Sequence, residues 1–205
     1  MAKIKLTKTE LKAQSEALKR FQRFLPMLQL KKQQLQEEIA VITGRLDSVS
    51  TRERDAIAEM DGWVALFADA ESVMNDLVHV AGVETDTANI AGISVPVFKG
   101  IRTEVAEIDL FATPAWYDDA VAMTTRLLAL KAERVVLTRQ RDLITQELTT
   151  TSQRVNLFEK VKIPECKENI RVIKIAIGDE QTASVTRGKI AKSRGKKVEE
   201  EEDAA

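Results

Sequence analysis

An apolar repeat of 3.5 residues, unbroken over more than the first third of this 205-residue chain, constrains the fold more than any other feature. Counted from Leu11, heptad position a holds Leu11, Leu18, Leu25, Lys32, Ile39, Leu46, Glu53, Met60, Phe67 and Met74. Position d holds Gln14, Phe21, Leu28, Leu35, Ile42, Val49, Ala56, Trp63, Ala70 and Leu77. Only Gln14, Lys32 and Glu53 are polar, so 17 of 20 positions are apolar. A straight α-helix has 3.6 residues per turn, and its stripe drifts from a strict heptad. A stripe that keeps the heptad this long requires a partner helix and a left-handed supercoil. The start is marked by the capping box "TKTE", with Thr7 as N-cap and Glu10 at N3. Leu6 and Leu11 stand at the hydrophobic-staple positions. Seventy helical residues would reach about 105 Å.

A second helix begins at "ATPAWYDDAV", with Thr113 as N-cap and Pro114 at N1, where the missing N–H costs nothing. Its a and d positions run through Ala120, Met123, Leu127, Leu130, Arg134, Leu137, Arg141, Ile144, Leu148, Thr151, Val155 and Phe158. Beyond Pro164 the stripe is shifted, to Cys166, Ile170, Ile173 and Ile177, and Gly178 reads as a C′ stop. Two helices of matching length, each with one apolar stripe, bury them by folding back on each other. The expected fold is mainly α: a long antiparallel two-helix left-handed coiled coil, with a short β-hairpin region in the connector.

The connector changes character. "NIAGISVPVFKGIRTEVAEID" is rich in β-branched residues with partial alternation at Ile93, Val95, Val97, Ile101, Thr103 and Val105. Gly92 and Gly100 bracket a turn-like stretch, and Pro96 restricts its strand to an edge or an end. The tail "RGKIAKSRGKK" followed by "EEEED" pairs a basic block with an acidic one and has no core-forming pattern. The predicted division is residues 1–77 as the first helix, 78–113 as connector, 114–178 as the second helix, and 179–205 as tail, disordered from about 185.

Composition excludes several classes. Charged residues are 31% and aromatics 4%, with only 8 Gly and 4 Pro, a mix that suits long helices and not a loop-rich enzyme. A net charge of −1 gives no global attraction to nucleic acid or membrane. The single Cys166 excludes an internal disulfide and fits a reducing compartment. No apolar run reaches the roughly 18 residues of a membrane span, and "MAKIKLTKTE" has no signal-peptide core. A cytosolic, soluble chain is expected, in contact with a membrane only through a partner.

Candidate chemistry is sparse. His79, in "DLVHVAG", is the one histidine and reads as structural or exposed. Cys166 has no His or Cys at metal-ligand spacing and lies on the shifted seam. "GDEQTASVTRGK" lacks the phosphate-loop spacing, and Ile190 stands where Ser or Thr is required. Glu37–Glu38 and Asp118–Asp119 are adjacent pairs that diverge on a helix. The basic groups Lys3, Lys5, Lys8, Lys12 and Lys31, Lys32 lack interleaved aromatics and read as coiled-coil flanks rather than a nucleic-acid site. Catalytic, cofactor-binding and metal-binding residues are all expected to be absent. The polar seam residues Lys32, Glu53, Arg134 and Arg141 have two readings: control of helix register, or levels lined by neighbouring proteins.

Four stretches carry a family resemblance. "KLTKTELKAQSEALKRFQRFLPMLQLKKQQLQEEI", "NIAGISVPVF", "LFATPAWYDDAV" and "RVNLFEKVKIPECKENIRVIKIAIGDEQTASVTRGKIAK" resemble the D subunits of V-type (A/V-type) ATP synthases over nearly the whole chain, in order. The resemblance implies a non-catalytic central rotor shaft that transmits torque between the membrane ion-translocating ring and the catalytic head. Both helix termini would point into a hexameric head of A and B subunits. The connector would face the small F subunit of the central stalk and the socket subunit of the ring. The chain would lie on the cytoplasmic side of the membrane, peripherally. Helix, hairpin, helix also describes a prefoldin-like chaperone subunit, the alternative reading, for which helices of this length are long.

Pro26, in "RFLPML", interrupts the first helix at position b, off the seam. If Leu77 pairs near Pro114, then Pro26 and Pro164 fall at one level, and a local bend or unwinding is expected there.

Overall fold

A computed structural model describes residues 4–62, 78–105 and 116–202. Helix α1 is Lys8–Asp61, followed by strands β1 (Val78–Ile90) and β2 (Ile93–Val105). Helix α2 is Tyr117–Leu157, a π-helical turn spans Phe158–Lys162, and helix α3 is Ile163–Glu202. The chain divides into two compact units, residues 1–30 with 152–205, and residues 31–151. The seam positions Trp63, Phe67, Ala70, Met74 and Leu77, and the cap at Thr113 and Pro114, lie outside the described residues.

α1 starts where its capping signal stands. The Glu10 N–H donates to Thr7 Oγ1 at 3.3 Å, and the Leu11 N–H donates to the Thr7 carbonyl at 3.0 Å. Only half of the capping box is used, since Glu10 accepts from Gln14 Nε2 at 2.9 Å. Every a and d position from Leu11 to Met60 is buried or half-buried, as the 3.5-residue period requires.

In the unit of residues 31–151, α1 packs antiparallel on α2. The core is built from Leu35, Ile42, Val49 and Ala56 of α1 with Met123, Leu130, Leu137 and Ile144 of α2. All eight are d residues; Leu46, an a residue, and Val95 of β2 are buried in the same core. Leu35, Ala56 and Ile144 are fully shielded from solvent and Ile42 is 1% exposed. Burying such a Leu or Ile side chain contributes about 1.5–3 kcal/mol each. The a column is less dry: Ile39, Met60, Leu127 and Leu148 are half-buried, and Arg134 is exposed. Lys32, Glu53, Arg134 and Arg141 are all a residues. The seam therefore keeps its charged groups in the a column, while the uncharged polar Gln14 and Thr151 stand at d, Thr151 only 1% exposed.

The hairpin is longer than its alternating residues alone suggest. β1 and β2 have 13 residues each and pair antiparallel from Val78↔Val105 to Ile90↔Ile93. The turn is Ala91–Gly92, with φ of 50° and 85°, the two-residue turn whose twist matches the flanking strands. Gly100 closes no turn: it sits inside β2, beside a register shift between Glu84 and Thr85. Counting from the turn, Pro96 opposite Thr87 falls on a non-hydrogen-bonded pair, where its missing N–H costs the ladder nothing. Ala88, Ile90, Ala91, Ile93 and fully buried Val95 pack against the helical core of this unit.

In the unit of residues 1–30 and 152–205, the ring of Phe21 meets Phe158 at 4.9 Å between centroids and 51° between planes. Asn169 Nδ2 donates to Gln14 Oε1 at 3.4 Å. The displaced stripe now has a cause. Val155 and Phe158 keep the first heptad frame, whereas Cys166, Ile170, Ile173 and Ile177 lie one residue late. A π-helical turn holds one residue more than an α-turn, so Phe158–Lys162 absorbs the offset. The Ile163 N–H reaches back to the Phe158 carbonyl, the five-residue bond of this geometry, and the widened turn leads into Pro164.

Two expectations are corrected here. The prolines do not share a level. Phe21 meets Phe158, so Pro26 faces residues 153–155 and not Pro164, and α1 continues as helix through Pro26. Unwinding occurs on one helix only, next to Pro164. Nor does the last helix stop at Gly178 or give way to disorder near residue 185, since α3 runs to Glu202. Glycine inside a helix costs only about 1 kcal/mol, and the Ala, Lys, Arg and Glu around it favour helix. The Gly178 carbonyl also accepts from Thr182 Oγ1 at 3.0 Å.

Two outcomes check this architecture. Leu35→Asp or Ile42→Asp places an unpaired charge in the dry d column and should lower stability by several kcal/mol; loss of helical circular dichroism at 37 °C measures it, and an unchanged spectrum refutes the seam. Deleting Lys160 together with Pro164→Ala brings both stripes into one frame and should raise the melting midpoint. Deleting Arg139 from α2 throws downstream seam residues out of frame and should lower it.

Candidate functional site

The features that carry information are the flanks of the seam. Among the described residues of the unit of residues 31–151, three ion pairs bridge the flanks of the seam: Lys31–Glu147 at 2.8 Å, Arg52–Glu133 at 3.4 Å and Glu59–Arg126 at 3.0 Å. All six residues occupy heptad position g. In an antiparallel pair, g of one helix lies beside g of the other, so this pattern identifies the helix direction by chemistry alone. Each pair is partly exposed, and such pairs contribute only about 0–1 kcal/mol. Their effect is on register: a slip of one heptad from the Arg52–Glu133 and Glu59–Arg126 pairing would set Arg52 against Arg126 in one direction or Glu59 against Glu133 in the other.

Glu53 and Arg134 join across the a column at 3.3 Å. The Glu53 side chain is 11% exposed and that of Arg134 48%, so the carboxylate is the buried partner. Two of the four polar seam residues thus satisfy each other within the chain, which favours register control. Arg141 instead reaches its neighbour Asp142 at 3.2 Å, and Lys32 is half-buried.

The fourth g residue of α2 in this stretch, Gln140, is 4% exposed and donates through Nε2 to the carbonyl of Pro96. The carbonyl of a non-hydrogen-bonded ladder position points out of the hairpin, and here a helix side chain takes it. Val136 and Leu143, both at position c, are buried and half-buried beside Gln140. Gln140, with Leu143 packed on the core that holds Val95, marks where the hairpin meets α2. Heptad counting misses this contact. A signal existed: Val136 and Leu143 are apolar off the seam, seven residues apart, with an uncharged residue between them in a column otherwise ionic.

The remaining candidates do not converge. His79 is exposed near the start of β1, opposite Glu104 in the ladder. Cys166 is 5% exposed within the seam, and burial pushes its thiol above the ordinary range. Glu37 accepts from Gln33 at 3.0 Å, and Asp118–Asp119 lie in the first turn of α2. "GDEQTASVTRGK" is helical, so its amides are committed to the α3 ladder and form no anion cradle. Lys8 and Lys12 are exposed on the α1 flank. Among the described residues no group of His, Cys, Asp and Glu is placed to hold a metal ion. No described helix is long and apolar enough to cross a membrane.

Comparison with known proteins gives these surfaces a context. The family model for the ATP synthase D subunit matches residues 10–193. The V-type ATP synthase D subunit of Borreliella burgdorferi is 43% identical over 193 residues, covering 94% of this chain and 95% of the relative. That of Chlamydia caviae is 34% identical over 100% of this chain and 99% of its own length. That of Chlamydia trachomatis serovar L2 is 33% identical over 94% and 96%. A match that runs through α1, the hairpin, α2 and most of α3 makes the chain a member of the family of ATP synthase D subunits.

Proposed function

We propose that this chain is the central rotor shaft of a V-type rotary ATPase. It transmits torque between the membrane ion-translocating ring and the catalytic head during ATP synthesis or hydrolysis. The observation that carries this reading is the seam: one 54-residue helix, α1, whose a and d residues are all withdrawn from water from Leu11 to Met60. A torque-bearing element must not slip along its own axis. Interlocked d residues resist a slip of one residue, which would take the column out of the seam, and the g-flank ion pairs oppose slips of a whole heptad.

The chain itself carries no catalytic step. Nucleotide chemistry belongs to a head of A and B subunits, around the helix termini. The small F subunit of the stalk and the socket subunit of the ring lie toward the connector, and the complex holds the shaft on the cytoplasmic face of the membrane. An asymmetric shaft acts on three equivalent catalytic sites by favouring a different conformation in each, a shift of populations driven by unequal contacts.

A prefoldin-like chaperone is not favoured. That architecture uses its hairpins to assemble with other subunits, whereas here Val95 is fully buried against the chain's own helices.

Mixing the chain with head subunits and the small stalk subunit should give one stable assembly on size exclusion. A bead attached to the shaft should rotate when ATP is added. Assembly without rotation, or a self-assembled hexamer with holdase activity, would refute the shaft role. Truncation after Lys189 removes no described residue that is buried and should leave assembly and coupled ATPase activity within about twofold; a larger loss assigns a role to the tail.

A further inference from the structure

In the unit of residues 1–30 and 152–205, both helices lose part of their backbone ladder at adjoining levels. On α1, Pro26 has no N–H, so the carbonyl of Gln22 lacks its helical donor. On the facing segment, the Ile163 N–H is committed to the Phe158 carbonyl. The carbonyl of Glu159 is then left without a donor, because the next residue in reach is Pro164. Gln22 and Glu159 are exposed, so both carbonyls are left to water. The Phe21–Phe158 contact fixes the level. Counted from it in the antiparallel sense, Gln22–Pro26 faces residues 153–157, and the π-turn Phe158–Lys162 begins where that stretch ends. The two interruptions meet at the paired rings.

Packing is thin at the same place. No residue from 156 to 165 is buried, and none of α1 from Lys8 to Leu30 is, whereas Val155 on one side and Cys166 and Ile173 on the other are buried. Ion pairs do not brace the level. Among the described residues of this unit they run within one helix, as Lys12–Glu16, Lys162–Glu165 and Glu168–Arg171. In the unit of residues 31–151, three pairs bridge the flanks instead. A helix bends where a proline or a π-turn opens its ladder. A single interruption would be blocked by the intact helix beside it, and here both helices are interrupted. Pro26 and Pro164 each stand at position b of their own frame, outside the seam, so bending leaves Phe21 and Phe158 in contact.

We propose that the Phe21–Phe158 level is a flexural joint, in which Gln22–Pro26 and Phe158–Pro164 open and close as one unit about the paired rings. Seam residues on both sides keep their partners while the backbone between them bends. The joint is a property of the chain alone. Its consequence, that sideways load is taken up by bending and not by slip along the seam, rests on the shaft role above.

The test uses the full chain without partners and reads amide hydrogen exchange by mass spectrometry. Amides in 22–27 and 158–165 should exchange at matching rates, faster than those of Ile170–Ile177. Pro26→Ala restores the ladder of α1 alone, at an exposed position, yet should slow exchange at 158–165 by about threefold or more. Deleting Lys160 together with Pro164→Ala should slow exchange at 22–27 by a similar factor. Ile170–Ile177 should be unchanged in both variants, which separates a local joint from general stabilisation. Slowing confined to the substituted helix overturns the proposal, and so does equal slowing along the whole unit. The exchange result needs no head or stalk subunit, so failure of the shaft role would leave it standing.

Discussion

The dry d column is the constraint on which the rest of the structure depends. Eight d residues, four from α1 and four from α2, make up most of the core of the unit of residues 31–151, joined by Leu46 and Val95. Neither helix is stable with that column in water, so each exists because the other covers it. The charged seam residues keep clear of it, although the polar Thr151 stands at d and is 1% exposed. Lys32, Glu53, Arg134 and Arg141 all occupy the a column, which solvent reaches more easily. Had the same four stood at d, each would have required a fully buried partner.

Stability and specificity come from different parts of the surface. Apolar burial along d holds the helices together but is nearly indifferent to a slip of one heptad, since Leu, Ile, Val and Ala recur at each step. The charged g flank is not indifferent. It contributes little energy in any one pair, yet it makes the alternative staggers worse. The Gln140–Pro96 hydrogen bond adds a reference point that no heptad slip can imitate, because one hairpin carbonyl is matched to one glutamine.

The parts legible in the sequence were those with a period. The seam from Leu11 to Met60 and its partner from Ala120 to Phe158 follow from counting, and so does the displacement at Cys166. What counting could not supply was the form taken by the displacement, a π-turn, because the same one-residue offset could also be spread along the helix as altered winding. β1 escaped because "VHVAGVETDTANI" has short polar and small residues on its outer face and little alternation. The docking of the hairpin escaped because it is a long-range contact, marked only by Val136, Gln140 and Leu143. Gly178 misled because a glycine is a weak stop when good helix formers follow it.

The hairpin also bears on how the chain reaches this state. The described part of α1 ends at Asp61 and that of α2 begins at Tyr117, and in the unfolded chain the stretch between them must be closed into a loop before any seam contact forms. Local pairing from Ile90↔Ile93 back to Val78↔Val105 removes the hairpin residues from the loop and about halves the length left to close. Each halving lowers the entropic cost of closure by about 0.6 kcal/mol. A hairpin forms in microseconds, from neighbours in sequence, with no help from the helices. The strands that brace the finished helices thus also shorten the search by which those helices find each other.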